Sequence, residues 1–360
     1  MILTKICIKN FRNIEDLELS LNKNINIFIG NNAQGKTSIL ESIYVLALTK
    51  ASKSLEEDNL IRKDCEISKI SGMIKKGNIN KKLEIILTKT DKKLKVNNTE
   101  EKKISNYISN LNVIMFTPED LDIIKKSPNV RRNLLNIELC QLFSNYMRVL
   151  NEYNKLLKIR NEYLKKDLKN IDRTYLNIIT DKLIERAIVI MDYREKYLEN
   201  INASIENIYK KIMKSDGLKV IYEKSIKETT KDEIKKLYND NFYNELNKKM
   251  TLFGPHRDDL SFYLGDLNLK LYGSQGQQRI AILSFKFAEI NLFKEINHSY
   301  PVVLLDDIFS ELDIEKRNNL IKFIKSNIQF IITTTDIKNI SDKIIDKASV
   351  FKIKNGKINR

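Results

Sequence analysis

Gly30-Asn31-Asn32-Ala33-Gln34-Gly35-Lys36-Thr37 fits the pattern G-x-x-x-x-G-K-[ST]. It lies between an apolar run, Ile25 to Ile29, and apolar residues at helical spacing, Ile39, Ile43, Leu46 and Ala47. The sequence therefore reads strand, glycine loop, helix. The two glycines let successive backbone N–H groups turn inward as an anion nest. The helix beginning near Lys36 aims its positive dipole end at the same point. In such a loop Lys36 reaches the β- and γ-phosphates of a nucleotide, and the Thr37 hydroxyl ligates Mg²⁺. Gly30, Asn31, Asn32, Ala33, Gln34, Gly35, Lys36 and Thr37 are the expected contacts.

Outward from this loop the pattern stays α/β on both flanks. Leu17, Leu19 and Leu21 alternate with polar residues, as in a half-buried strand. Short alternating stretches run from Cys65 to Val96, with Gly77-Asn78 and Asn97-Asn98 as turns. Far downstream, Pro301 to Leu305 reads as a buried strand ending in Asp306-Asp307, and Phe330 to Thr333 as another. Asn355-Gly356 is a hairpin signal.

The middle differs. Leu139, Leu142, Tyr146, Val149, Tyr153 and Leu156 fall three and four apart, and so do Leu176, Ile179, Leu183, Ala187 and Ile190. Arg160 and Arg194 fill gaps in the two runs, and Lys165–Arg173 is a plausible reversal. No glycine occurs between Gly77 and Gly217, and no proline between Pro128 and Pro255. Each would cost a helix interior roughly 1 and 3 kcal/mol, so their scarcity fits long helices. The expected fold is an α/β P-loop head split into residues 1–125 and 250–360, with a helical hairpin, projecting as an arm, inserted at 126–249.

The 360 residues allow about two domains. Lys plus Arg number 63 against 47 Asp plus Glu, a net charge of +16, which favours a polyanionic partner. The chain is also rich in Lys, Asn and Ile, a bias that inflates charge without any functional demand, and the charge marks no single stripe. Cys7, Cys65 and Cys140 are odd in number and far apart, and there are two His, so neither a disulfide framework nor a His/Cys metal site is expected. Met1 to Ile6 lacks the features of a signal peptide, and no apolar run approaches the ~18 residues of a membrane span. A cytoplasmic protein without a membrane partner is expected.

Asp306 is placed to hold the Mg²⁺ shell and Asp307 to orient or deprotonate an attacking water. Ser274-Gln275-Gly276-Gln277-Gln278 precedes an apolar-periodic helix. Ser274 could be an N-cap. Yet the order phosphate loop, long insertion, S-x-G-Q-Q helix, Asp-Asp strand is similar to that of ABC-type ATPase heads. That similarity implies that Ser274, Gly276 and Gln277 meet the γ-phosphate of ATP held by a second subunit, and that Ser310-Glu311-Leu312-Asp313 is the D-loop.

The chain as a whole resembles the RecF family, bacterial recombination-repair ATPases related to SMC-type proteins. The resemblance rests on Lys9-Asn10-Phe11-Arg12-Asn13, on Phe116-Thr117-Pro118-Glu119-Asp120-Leu121 followed by Ser127-Pro128 and Arg131-Arg132, on Gly254-Pro255-His256-Arg257-Asp258-Asp259, and on Leu304 to Asp313. It implies that Arg12 lies near the nucleotide. It also implies an ATP-dependent homodimer that clamps duplex or gapped DNA, acting beside RecO and RecR to load RecA and support the SOS response. Two positions depart from transporter and SMC heads. Pro118-Glu119-Asp120 offers no Q-loop glutamine, and Thr333-Thr334-Thr335-Asp336 offers no switch histidine. Asp307 is one methylene shorter than the usual Glu base, so slow hydrolysis, a switch rather than a motor, is expected. The competing readings are a transporter nucleotide-binding subunit, a scaffold that binds ATP without catalysis, and a P-loop nuclease; the last would need a C-terminal acidic metal site.

Overall fold

The computed structural model describes residues 1–51, 57–324, 327–340 and 342–359. The chain begins with β1 (Ile2–Phe11), β2 (Ile14–Ser20), β3 (Ile25–Ile29), α1 (Lys36–Leu48), β4 (Ile67–Lys76), β5 (Ile79–Thr88), β6 (Lys92–Val96), β7 (Thr99–Glu100), α2 (Ile104–Ile108) and β8 (Val113–Phe116). A helical stretch follows: α3 (Asp122–Lys125), α4 (Pro128–Leu142), α5 (Ser144–Leu164) and α6 (Arg173–Met213). Then come β9 (Leu218–Glu223), α7 (Lys231–Asp240), α8 (Phe242–Lys248), β10 (Asp259–Leu264), β11 (Leu267–Asn268) and α9 (Leu269–Tyr272). The remainder is α10 (Gln275–Asn297), β12 (Val302–Asp306), α11 (Ile314–Ile321), β13 (Phe330–Thr334), α12 (Asp342–Ile345), β14 (Ala348–Lys354) and β15 (Lys357–Asn359).

These elements form two compact units. The first comprises Met1–Leu121, Asn207–Ser215 and Arg279–Arg360. It holds an antiparallel sheet, β2-β1-β4-β5-β6-β7, and a second sheet in the order β15-β14-β3-β13-β12-β8. In the second sheet β14, β3, β13, β12 and β8 run parallel. Parallel strands are covered on both faces, so they read as unbroken apolar runs. Accordingly every residue of β12 and β13 is buried. The antiparallel sheet shows the alternation expected of one covered face, Ile70 and Ile74 inward with Lys69 and Lys75 outward or half-exposed. At Gly72 a side chain would meet Leu46 of α1 at 2.7 Å and Leu3 at 2.8 Å, so glycine lets that helix lie close across the sheet.

The second unit comprises Asp122–Glu206 and Asp216–Gln278. The predicted hairpin is present as α5 and α6, joined across residues 165–172. At 41 residues α6 is about 60 Å long. The unit's limits differ from the expected 126–249 insertion. β10 pairs with β9 from Asp259↔Glu223 to Leu264↔Leu218, so Gly254–Gln278 belongs with the helices and not with the head. Helical periodicity had no means of reporting that pairing.

Arg160 and Arg194, which looked like gaps in the apolar seams, are buried within them. Arg194 donates to Pro255 O at 2.7 Å and Asn136 Oδ1 at 3.1 Å, and lies 3.3 Å from Asp258 Oδ2. Arg160 donates to Glu245 Oε2 at 2.5 Å, Thr251 Oγ1 at 2.8 Å and Thr180 Oγ1 at 2.9 Å. A buried guanidinium is tolerable only when its fork is filled in this way. The Gly254–Asp259 motif, one of the stretches that carry the family resemblance, is therefore a closing device for this unit. Asp258 takes Arg194, the Tyr222 hydroxyl and the Ser225 N–H. Gly254, at φ 126°, leaves room for the Tyr153 hydroxyl, which a side chain there would meet at 2.4 Å.

Candidate nucleotide site

The phosphate loop leaves β3 and enters α1 as the sequence indicates. Gly35 has φ 101°, the left-handed conformation that a side chain resists. Gly30 is glycine for another reason: a side chain there would collide with Ile353 O at 2.4 Å. Asn31, Asn32 and Ala33 form an exposed lip, whereas Lys36 is buried. Its ammonium donates to Gly30 O at 2.6 Å and Asn31 O at 2.8 Å, filling the concavity of its own loop. Burial lowers its pKa, and the charges of Asp307 and Asp306 pull it back upward.

Two turns brace the loop from outside. The β14–β15 turn donates Asn355 N–H to Gln34 Oε1 at 2.7 Å and Gly356 N–H to Gln34 O at 2.9 Å. Gln34 is thus held by the hairpin. In the β1–β2 turn, Asn13 Oδ1 accepts from the Ser38 hydroxyl at 2.8 Å. The neighbouring Arg12 reaches α1, its Nη2 donating to Glu41 Oε1 at 2.5 Å.

The acidic pair sits where the parallel sheet delivers it. Thr37 Oγ1 donates to Asp306 Oδ1 at 3.1 Å, joining residues 269 positions apart. Thr333, at the end of β13, donates its hydroxyl to the same Asp306 oxygen at 2.6 Å and accepts the Asp307 N–H at 3.0 Å. One hydroxyl therefore orders both acids. Asp307 has φ 48°, an uncommon conformation for a residue with a side chain, and its Oδ1 is buried with no partner among the described residues. Burial pushes the Asp306 carboxyl up, the hydroxyls of Thr333 and Thr37 draw it down, and the nearby Glu119 and Asp307 push it up again.

Glu119 carries a charge that reaches Asp306, which motif matching did not indicate. In the Phe116–Leu121 segment, Asp120 accepts the Thr117 N–H at 2.9 Å and is paired with Lys286 of α10 at 2.6 Å. Asp120 is thereby committed to the frame, while the Glu119 charge is felt at Asp306. Thr333 was also not singled out as a site residue, because its role depends on adjacent parallel strands that only the fold supplies.

These donors suit Mg²⁺ and a nucleotide: a hydroxyl, a crowded pair of carboxylates, an orphaned buried oxygen and a glycine cradle. Mg²⁺ usually keeps several waters and takes one or two carboxylates plus phosphate oxygens. It needs no three-ligand cluster, and none is present among the described residues. Thr37 and Asp306 would hold it.

Ser274, Gly276 and Gln277 lie at the start of α10, in the stretch that belongs to the second unit. Ser274 Oγ accepts the Gln277 N–H at 3.2 Å, and Gln277 Oε1 accepts the Ser274 N–H at 2.9 Å. This reciprocal pair is a capping box, so the N-cap reading of Ser274 is correct as local structure. Gly276 is different. Among the described residues, a side chain there would find only Ser274 Oγ, at 4.0 Å.

The RecF/RecN/SMC N terminal domain family matches residues 2–359. The DNA replication and repair protein RecF of Ligilactobacillus salivarius (strain UCC118) is 38% identical over 368 residues, spanning 99% of this chain and 97% of the relative. The chain belongs to the RecF family. The RecF protein of Bacillus cytotoxicus is likewise 38% identical, over 99% of this chain and 98% of its own. A solved structure described as the recombination mediator protein RecF-ATP in the RecFOR pathway matches with TM-score 0.91 at 30% identity, covering 99% and 97% of the two chains. An Smc head domain from Pyrococcus furiosus with an extended coiled coil matches at TM-score 0.57 and 16% identity, a likeness of fold. The fold is thus the ABC-type ATPase head that RecF shares with Smc, and the chain is a RecF-type DNA replication and repair protein. Among the described residues, no helix is long and apolar enough to cross a membrane.

Proposed function

We propose that this RecF-type chain is an ATP-dependent DNA clamp that resets by slow hydrolysis. The observation that carries the reading is the meeting of Thr37, Asp306 and Thr333 behind the phosphate loop, with Asp307 poised beside them. Lys36 contributes positive charge to the phosphates, and the Gly30–Gly35 backbone cradles them. Thr37 and Asp306 would hold Mg²⁺, which when bound would supply charge neutralisation at the phosphate oxygens. Asp307 orients the attacking water, and Glu119 takes the Q-loop position with a carboxylate in place of an amide. A base shortened by one methylene and a switch without histidine position that water poorly, so turnover is slow. Arg12 contributes to the nucleotide surface from the β1–β2 turn.

Ser274, Gly276 and Gln277 complete the site of a second copy. The open space beside Gly276 supports this, since the chain's own packing gives no reason for glycine there. Two copies closing on two ATP molecules would align basic surfaces against duplex or gapped DNA. One solved RecF structure is assigned to the RecFOR pathway. By analogy, RecO and RecR are the partners we expect here, in RecA loading and the SOS response in the cytoplasm.

The test is sedimentation of the wild type and the Asp307→Asn and Ser274→Arg variants, with and without ATP and gapped duplexes. Asp307→Asn should hold the ATP dimer on DNA with turnover at least tenfold lower. Ser274→Arg should bind ATP as a monomer. Wild-type turnover in the first variant, or a normal dimer in the second, would refute the assigned roles.

A further inference from the structure

Lys286 is a cation where the sequence pattern calls for an apolar residue. It lies on α10 between the buried Phe285 and Phe287, and its own side chain is 6% exposed. The ammonium donates to Asp120 Oδ2 at 2.6 Å and to Met115 O, and stands 5.4 Å from the centre of the Phe116 ring. All three partners belong to the end of β8 or to the turn that follows it. An ammonium withdrawn from water this far is tolerable only when its partners are fixed in place.

Asp120 is fixed from the other side as well. Its Oδ2 also accepts the Thr117 N–H at 2.9 Å, and its Oδ1 accepts the Thr117 hydroxyl at 3.2 Å. Its own N–H donates to Thr117 O at 3.1 Å. The chain leaving β8 is thereby closed into one helical turn, Pro118–Leu121, and a single lysine pins that turn to α10. The Phe116 and Phe287 rings, 5.2 Å apart, pack beside the pin.

The place of this turn gives the pin a use. β8 is the parallel neighbour of β12, in the register Phe116↔Leu305. The next residue on β12 is Asp306, so the turn leaves the sheet level with the acid that Thr37 and Thr333 hold. Within the turn, Pro118 has its φ fixed by its ring, and Asp120 is anchored to Lys286. Glu119 is exposed between them. The two neighbours therefore set where the Glu119 backbone stands relative to Asp306.

We infer that Lys286 is a positioning residue for nucleotide hydrolysis: paired with Asp120, it holds the Thr117–Asp120 turn, and with it Glu119, beside the end of β12. The inference rests on the hydrolysis reading above and deepens it. Lys286 acts through Asp120 and Met115 O, and the phosphate loop belongs to a different strand, β3. Removing the ammonium should therefore lower turnover and leave nucleotide affinity in place. The loss should also overlap with that of Glu119→Gln, because both changes act through the same side chain.

The experiment compares five full-length proteins: the wild type, Lys286→Met, Lys286→Met with Asp120→Asn, Glu119→Gln, and Glu119→Gln with Lys286→Met. Steady-state ATP hydrolysis, equilibrium ATP binding and thermal unfolding are measured on each. Lys286→Met should turn over at least about tenfold more slowly with affinity kept within about twofold. Adding Asp120→Asn removes the carboxylate left unpaired and keeps an acceptor for Thr117, so thermal stability should recover while turnover stays low. This pair also carries the test should Lys286→Met alone fail to fold. Adding Lys286→Met to Glu119→Gln should slow it further by no more than about twofold. Wild-type turnover in Lys286→Met, turnover that returns together with stability, or losses that multiply with Glu119→Gln would each overturn the inference and leave the hydrolysis reading standing. A wild type that binds ATP without hydrolysing it overturns both.

Discussion

Thr333 carries more of the site than its side chain advertises. Its hydroxyl donates to Asp306 and accepts from the Asp307 backbone, so it fixes one acid and the entry angle of the next. Thr333→Val keeps the shape and removes both bonds. The expected outcome is turnover lowered at least tenfold with nucleotide affinity little changed, and a stability loss of ~1–3 kcal/mol from the buried unsatisfied groups. Steady-state hydrolysis beside equilibrium nucleotide binding checks it, and unchanged turnover would sink the assignment. Glu119→Gln tests the neighbouring claim: removing that charge should lower the Asp306 pKa, and a fall in turnover with no loss of folding would place Glu119 in the site. At this scale Lys36, Thr37, Asp306 and Asp307 were legible because each sits in a motif whose spacing is fixed by one loop or one strand end. Thr333 and Glu119 were not: neighbouring parallel strands decide the role of the first, and the pairing of Asp120 with Lys286, 166 residues further on, is what leaves Glu119 as the other acid of its segment.

Among the elements, the hairpin was readable from apolar spacing and from the absence of Gly and Pro, but its polar interior was not. Periodicity marks where apolar side chains fall. It cannot say that Arg160 and Arg194 are buried with partners at residues 245 and 258. The same network holds His256, whose Nδ1 lies 2.6 Å from the Tyr153 hydroxyl and whose Nε2 lies 3.1 Å from Thr251 O. Burial lowers its pKa to about 4, the Thr251 carbonyl pulls upward, and Arg257, Arg132 and Arg160 push it further down. The folded state therefore keeps the imidazole neutral, while an unfolded chain protonates near 6.5. Between those values the unfolded state binds more protons, so stability present above pH ~6.5 is lost as pH falls toward 4, by at most ~1.4 kcal/mol per pH unit. Thermal unfolding at pH 7.5 and pH 5 should show this, and His256→Gln should reduce the difference. An equal drop in the variant would remove His256 from the explanation.

For the whole molecule, the +16 charge has two opposite effects: it favours DNA and disfavours a second copy. Nucleotide-dependent DNA retention should thus fall steeply with salt, by about 10³-fold between 50 and 200 mM if six phosphates are contacted. Filter binding with and without ATP measures it, and retention indifferent to ATP would discard the clamp. The order of elements was legible at this scale from motif order, whereas the true limits of the second unit depended on the β9–β10 pairing. The sheet that carries the phosphate loop has a further consequence. β3 is flanked by β13 and β14, so both of its neighbours come from residues 330–334 and 348–352. On the ribosome, the phosphate loop leaves the exit tunnel early and then waits for nearly all the remaining chain before its strand is paired and Gln34 is braced. A chain that stalls in the helical stretch therefore lacks both strands that flank β3 and the turn that braces Gln34.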